Sequence, residues 1–512
     1  PMYRALLPAL LLGASLSTQV GAQTLQNNDP VIAEMWRIGM EESRTRELAH
    51  VLMDRIGPRL PGSEGQEEAQ DWLIDTYAEW GIEPRMEEIG TWRRWRAGTV
   101  HADMIEPRTT TLEAEIKAWS PGTNGPVRAE VVLPPVKSDA ESDAAFVAST
   151  EGKFVLINQP IEMCRALQEI EANALEETVE GLTERRRDGF NAFRNRVGAY
   201  NASLFDEAGA AGVLESRWSG GWGVNKVFST SNQSAVALDL SCEDYGLLYR
   251  LVESGQRVVI EVNAETEDLG EVPQFNLIGQ ITGSELPEEY VLLGAHLDSW
   301  HAATGATDNG TGTITMLEAM RILKMAYPNP RRTILVGHWA NEEVGRVGSR
   351  AFRDDNPEIM AGIQAAFNQD NGTWRFEKIE GQGFAQAPAH IPRWMAKLPM
   401  EFQTQIALEM PGPQANAGSD HTSFVCAGVP SFRLQSPYDE YRQYTWHTNR
   451  DTYDKISFDD LARNATVAAM MAYEASEDPV RFGREQALLP ASANGRPRSW
   501  PGCRPAPRES GR

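Results

Sequence analysis

Apolar and polar positions recur along this chain in two rhythms, and the points where the rhythm changes divide it. Residues 30–56 carry apolar side chains at helical spacing, and GPRLPGSEG, with two prolines and three glycines, ends the run. A second amphipathic helix is predicted over about 65–80, followed by charged and aromatic stretches such as TWRRWRAG. This first region is expected to cover one face of a sheet built later. From about Ala118 to about Leu269 the texture shifts to short β-rich runs (AEVVLPPV, KFVLINQP, AGVLES, RVVIEVNA), interrupted by an acidic-to-basic helical stretch, EIEANALEETVEGLTERRRDGF. Strands and helices then alternate: NLIGQITG, YVLLGAHLD, a helix from about Gly312 to Lys324, RTILVGHWA, IQAAFNQD, VPSFRL and a helix near 458–474. Such alternation predicts an α/β sheet flanked by helices, with the first two of these strands as neighbours. The β-rich segment, which carries no catalytic set of its own, reads as an insertion that shapes access to a site.

Length supports more than one unit, because 512 residues exceed what a single core organises. A net charge of −24 excludes nucleic acid as a partner, since phosphates call for Lys and Arg. At the start, Arg4 precedes the apolar run ALLPALLLGASL, and Val20, Gly21 and Ala22 form a small-residue cleavage site before Gln23. Residues 2–22 therefore read as a secretory signal, and no later stretch is apolar for long enough to span a bilayer. The expected location is outside the cytoplasm, periplasmic or secreted. Cys164, Cys242, Cys426 and Cys503 show no zinc-binding spacing, and Cys164 with Cys242, which fall in one segment, are the expected disulfide partners.

Candidate chemistry collects at the ends of the apolar runs, where open α/β sheets place their sites. His296 and Asp298 sit two apart in an extended strand, on one face, so Asp298 can fix the tautomer of a metal-bound His296. Asp308 lies in the small-residue loop GATDNGTG, which runs into a helix; its two oxygens suit a bridge between cations ~3.5–4 Å apart. Glu342 and Glu343 follow TILVGHWA, Glu343 as a metal ligand and Glu342 as the general base. Asp370 ends a third strand, and His447 falls in YTWHTNRDT. Two histidines with three carboxylates suit two zinc ions, with manganese or cobalt as alternatives. Of the competing histidines, His338 reads as core, and His301 and His421 as pocket or supporting residues, with Asp420 placed to orient His421.

The pieces GAHLDSW, GATDNGTG, ANEEVGRVGS, NQDNG, GSDHTSF and WHTNRDTYDK, in this order, closely resemble the co-catalytic zinc exopeptidase family that includes bacterial leucyl aminopeptidases and plasma glutamate carboxypeptidases. The resemblance implies the zinc exopeptidase fold, a mixed, mainly parallel central sheet flanked by helices, with an inserted β-rich protease-associated domain. It implies one metal on His296 and Asp370, another on Glu343 and His447, Asp308 bridging, Glu342 as base, and a cis Asp308–Asn309 peptide bond. It also implies an oxyanion donor near Tyr444, with Tyr438, Tyr441 and Tyr453 as rivals. The expected divisions are a signal peptide at 1–22, the N-terminal part of the peptidase domain at 23–117, the inserted domain at 118–269, the catalytic domain at 270–480 and a flexible tail at 481–512. The expected activity is removal of terminal residues from small peptides, as an aminopeptidase or dipeptidase; the substrate is the expected partner, and a homodimer is allowed. Alternatives are a carboxypeptidase on the same core, a single-zinc glutaminyl cyclase and a receptor-like homologue without activity.

Overall fold

The computed structural model describes residues 29–135, 140–196, 202–413, 418–488, 491, 495 and 500–510. The expected signal segment, residues 2–22, lies outside them. No helix among the described residues is long and apolar enough to cross a membrane.

Alternating burial on two faces organises the sheet. Strands β1 (Glu83–Glu106), β2 (Val259–Ile281), β3 (Leu286–His296), β4 (Arg332–Trp339), β5 (Ile363–Asn368) and β6 (Ser431–Gln435) lie side by side in the order β6-β5-β3-β4-β2-β1. Pairings β3–β4, β3–β5 and β5–β6 are parallel, whereas β2 is antiparallel to both β4 and β1. Val291, Leu293, Ile334 and Val336 point into one layer with the helices α1 (Thr311–Ala326) and α2 (Phe458–Glu477), while Leu292 and Leu335 point to the opposite layer with Trp339, Phe352 and Phe424. This two-residue alternation, with helices on both faces, is the mixed, mainly parallel α/β sheet expected from the chain.

Two expectations about its strands are corrected. NLIGQITG and YVLLGAHLD are not neighbours, because β4 lies between β2 and β3. Every residue of β4 is buried, so it takes a slot with a partner on each side. The second correction concerns β1, a 24-residue strand over the charged and aromatic stretch that did not read as one. Register shifts at Glu88/Gly90, Arg93/Trp95, Ala97/Val100 and Met104/Glu106 break its alternation repeatedly.

The long β1–β2 ribbon carries the β-rich segment. Val127–Val132, Phe154–Leu156, Gly212–Glu215 and Val236–Leu240 form successive parallel pairs, and Ala114–Ile116 closes that sheet antiparallel to Val236–Leu240. The segment's sheet thus starts before residue 118, and the division at 269/270 falls inside the continuous strand β2. Cys164 is bonded to Cys242, the expected pair.

The C-terminal stretch, expected to be mobile, is tied down where it is described. Cys503 is bonded to Cys426, the Trp500 indole donates to the Val425 carbonyl at 2.8 Å, and the Arg508 carbonyl accepts from Thr91 N–H at 2.8 Å. Its Pro- and Arg-rich composition hid these anchors, which are single side chains and backbone groups rather than an apolar run.

Just beyond α2, Asp478 gathers donors from three directions. Its carboxylate accepts from Arg393 at 2.5 Å, His390 at 3.0 Å, the Trp394 indole at 2.8 Å and Val480 N–H at 3.0 Å. Burial alone would raise its pKa, but Arg393 and the other donors outweigh it and hold the carboxyl at about 2. Since the folded pKa lies below the unfolded value of about 4, the stabilisation is complete above pH ~4 and is lost as pH falls through about 2. We expect Asp478→Asn to cost about 3 kcal/mol in urea denaturation at pH 7, and that difference to shrink in titrations taken down to pH 2. Equal stability of both proteins at pH 7 would show that the cluster contributes nothing.

Candidate active site

At the C-terminal edge of the parallel strands the five candidate ligands converge. His296 is the last residue of β3, Glu342 and Glu343 follow β4, and Asp370 follows β5. Asp308 and His447 arrive on loops. His296 Nε2 lies 3.2 Å from Asp370 Oδ1 and 3.5 Å from Asp308 Oδ1. His447 Nε2 lies 3.0 Å from Glu343 Oε2 and 3.3 Å from Asp308 Oδ2. Asp308 therefore turns one oxygen to each histidine, and ligand atoms of His296, Asp308 and Glu343 fall within 4.8 Å of one another.

Local backbone geometry fixes these positions. Gly305, at φ +57°, turns the chain into the Asp308 loop, and a Cβ there would sit 2.2 Å from that of Ser299. The Asp308–Asn309 peptide bond is cis, as the resemblance implied. Asn341, next to Glu342, and His447 itself hold φ near +59°, a region that side chains other than glycine rarely occupy and that clusters at functional sites. Asp451 accepts from Thr307 N–H at 2.7 Å and Asp308 N–H at 3.0 Å. The Asp298 carboxylate accepts from Glu342 N–H at 2.9 Å and Glu343 N–H at 3.1 Å, while its backbone carbonyl lies 3.0 Å from His296 Nδ1. Asp298 thus meets His296 through the main chain, and its carboxylate, 3.6 Å from that ring, braces the paired glutamates.

The electrostatics call for a cation. Burial, and then the charges of Asp370, Asp420 and Glu343, push the Glu342 carboxyl well above its usual range; burial and then Asp308 do the same to Glu343. Burial works against a charged His296, yet Asp370, Asp298 and Asp308 outweigh it and raise its pKa. Asp308 Oδ2 and Glu343 Oε1 are buried without a hydrogen-bond partner. Carboxylates so crowded and so dry are costly unless positive charge lies among them, and this set of oxygen and imidazole donors fits a divalent metal.

Comparison with known proteins agrees with this edge of the sheet. Residues 276–472, which hold all five candidate ligands, match the profile of Peptidase family M28. This segment belongs to peptidase family M28. Mouse (Mus musculus) carboxypeptidase Q is 26% identical over 437 residues, 85% of this chain and 86% of that protein. Leucine aminopeptidase 1 of Blastomyces gilchristii is 30% identical over 224 residues, 39% of this chain and 56% of that protein. A peptidase M28 precursor from Shewanella amazonensis superposes with a TM-score of 0.68 at 24% identity, over 88% of this chain and 97% of that one. A zinc aminopeptidase from Bacillus subtilis shares the fold at TM-score 0.56 and 17% identity, over 86% and 97% of the two chains. The chain is accordingly a metallo-exopeptidase, a hydrolase of peptides.

Around the five candidate ligands the remaining histidines sort by their contacts. His338 bonds the Tyr77 hydroxyl at 2.6 Å in the core, and His301 bonds the Ile116 carbonyl at 2.9 Å. His421 is buried with neither ring nitrogen partnered, and burial lowers its pKa to about 3. Of the tyrosines, Tyr441 is buried and its pKa is raised by burial and then by Asp308 and Asp370, whereas the Tyr444 ring packs over Gly221 of the β-rich segment. Reading the sequence missed Asp451 and Trp300, although both stand inside the motifs WHTNRDT and GAHLDSW. The Trp300 indole donates to Glu343 Oε2 at 2.9 Å. Beside Glu343 opens a cavity of about 320 Å³ lined by Trp92, Trp119, Phe228 and Trp300 together with Arg93.

Proposed function

We propose that this chain is an exported two-zinc exopeptidase that removes the terminal residue of small peptides, as an aminopeptidase or dipeptidase. The observation that carries this reading is the Asp308 carboxylate facing both His296 and His447. His296 and Asp370 would hold one ion, Glu343 and His447 the other, with Asp308 shared. When bound, such ions supply Lewis acidity to the scissile carbonyl and lower the pKa of water from 15.7 towards about 7.

The chain's own groups carry the proton. Glu342, with its raised pKa, takes a proton from the attacking water as the water oxygen bonds to the carbonyl carbon. It returns that proton to the leaving nitrogen as the C–N bond breaks, giving a carboxylate and an amine. The carboxylate of Asp298 holds the backbone of Glu342 and Glu343 in place for this exchange. Oxyanion donation is assigned to Tyr444, with Tyr441, whose pKa is raised by burial and then by Asp308 and Asp370, as its rival.

A complete ligand set counts against a single-zinc cyclase and a receptor-like homologue; a carboxypeptidase on the same core is the second reading, favoured by the similarity to carboxypeptidase Q. Activity on unblocked, N-blocked and C-blocked dipeptides after zinc reconstitution separates them. Loss of activity on N-blocking is expected, and cleavage of N-blocked dipeptides together with loss of activity on C-blocking would replace this reading with the carboxypeptidase one. The aromatic cavity suits a large apolar side chain, whose burial contributes about 1.5–3 kcal/mol. We expect Trp119→Ala to cut kcat/KM for the better of Phe-Ala and Ala-Phe by about 10- to 100-fold relative to Ala-Ala; an unchanged ratio would place the substrate side chain elsewhere.

A further inference from the structure

We infer that residues 225–228 of the β-rich segment set the orientation of His447, with Phe228 as the positioning residue for that ligand. A metal-bound imidazole nearly always donates its second ring N–H to a carboxylate, a carbonyl or water. His296 follows that pattern at Nδ1, through the Asp298 carbonyl. His447 does not: its Nδ1 is buried and has no hydrogen-bond partner. Three aromatic rings surround the imidazole instead. Phe228 stands at 4.9 Å and 66° to the imidazole, Trp300 at 5.6 Å and 52°, and Trp446 at 4.1 Å and 32°. Contacts between rings each contribute weakly, so the direction of the imidazole rests on the packing of this cage as a whole.

The backbone beneath the ring is held by the same segment. Val227 N–H donates to the His447 carbonyl at 2.8 Å, Asn449 N–H to the Asn225 carbonyl at 3.1 Å, and Asn225 N–H to Asn449 Oδ1 at 3.0 Å. Lys226 Nζ sits 4.5 Å over the Trp446 ring. These bonds hold His447 at its φ of +59°, a conformation that needs outside support in a residue other than glycine. Phe228 is in turn fixed from behind by Arg217, whose guanidinium carbon lies 4.9 Å from its ring centre. The β-rich segment therefore completes one half of the candidate metal centre as well as walling the cavity.

The inference rests on the two-ion reading above, and its test separates the two. In the full chain, zinc content and affinity are measured by elemental analysis and chelator competition for wild type, Phe228→Ala, Phe228→Leu and Phe228→Tyr. Circular dichroism checks that each variant keeps the wild-type fold. Phe228→Ala is expected to retain one ion at wild-type affinity and to bind the second about 10- to 100-fold more weakly, the range found when support of a metal ligand is removed. Phe228→Tyr restores the second ion, and Phe228→Leu, which fills space without a ring face, does so only in part. Two ions bound to Phe228→Ala at wild-type affinity would overturn the inference. A wild-type chain that binds one ion overturns the two-ion reading instead. In that case a crystal structure of Phe228→Ala still decides the cage: a reoriented imidazole of His447 supports it and an unmoved ring overturns it.

Discussion

Glu342→Gln is expected to lower kcat by about 10³- to 10⁴-fold while leaving zinc content unchanged. The substitution keeps the shape of the side chain and removes the atom that accepts a proton. Its backbone bond to the Asp298 carboxylate does not involve the side chain, so the neighbouring Glu343 stays in register. In the metal-free protein burial and the carboxylates of Asp370, Asp420 and Glu343 push Glu342 well above the usual carboxylate range, so it holds its proton more firmly than a solvated glutamate. A base so tuned matches a proton that it must both accept and return. Parallel measurements of kcat and metal stoichiometry make the test: turnover within tenfold of wild type would remove Glu342 from the role, and lost zinc would make it a ligand instead.

How much of this was legible in the chain depends on which physical signal each residue leaves. His296, Asp308, Glu343, Asp370 and His447 could be singled out because each stands at the end of an apolar run or in a loop of small residues, and the strands of a parallel sheet bring such ends together. The β4 slot between β2 and β3 was not legible, since local periodicity says that a segment is a strand and not which neighbour it chooses. Strand β1 escaped because its bulges interrupt the alternation on which such a reading depends. The anchors of the C-terminal stretch escaped because Cys503, Trp500 and Arg508 act singly, at partners more than 70 residues away in sequence. For Asp298 the pairing with His296 was legible from their spacing, but the sharing of work between its carbonyl and its carboxylate depends on where β4 ends. Phe228 left no signal at all: its contact with His447 exists only because the β-rich segment folds back over the sheet.

Asp308→Asn is expected to have the larger effect, lowering kcat/KM by about 10⁴-fold or more, some 5.5 kcal/mol of transition-state stabilisation, with zinc falling from two ions per chain to one or none. The amide keeps the volume, and the backbone bonds from residues 307 and 308 to Asp451 remain, so the loop retains its position. What is lost is one of the two oxygens, lying 3.5 Å from His296 Nε2 and 3.3 Å from His447 Nε2, through which, on the two-ion reading, a single carboxylate would serve both halves of the site. The stability of the metal-free protein should move the other way. Asp308 raises the pKa of Glu343, so removing its charge relieves repulsion among buried carboxylates. Metal-free Asp308→Asn is therefore expected to unfold at a higher temperature than metal-free wild type, while the rise in Tm on adding zinc becomes smaller, because stabilisation by a ligand follows its affinity for the folded state. The opposite signs separate a bridging carboxylate from one that merely supports the fold. A residue of the second kind would lower Tm with or without metal, and that result, or two ions retained with activity near wild type, would end the shared-ligand reading of Asp308.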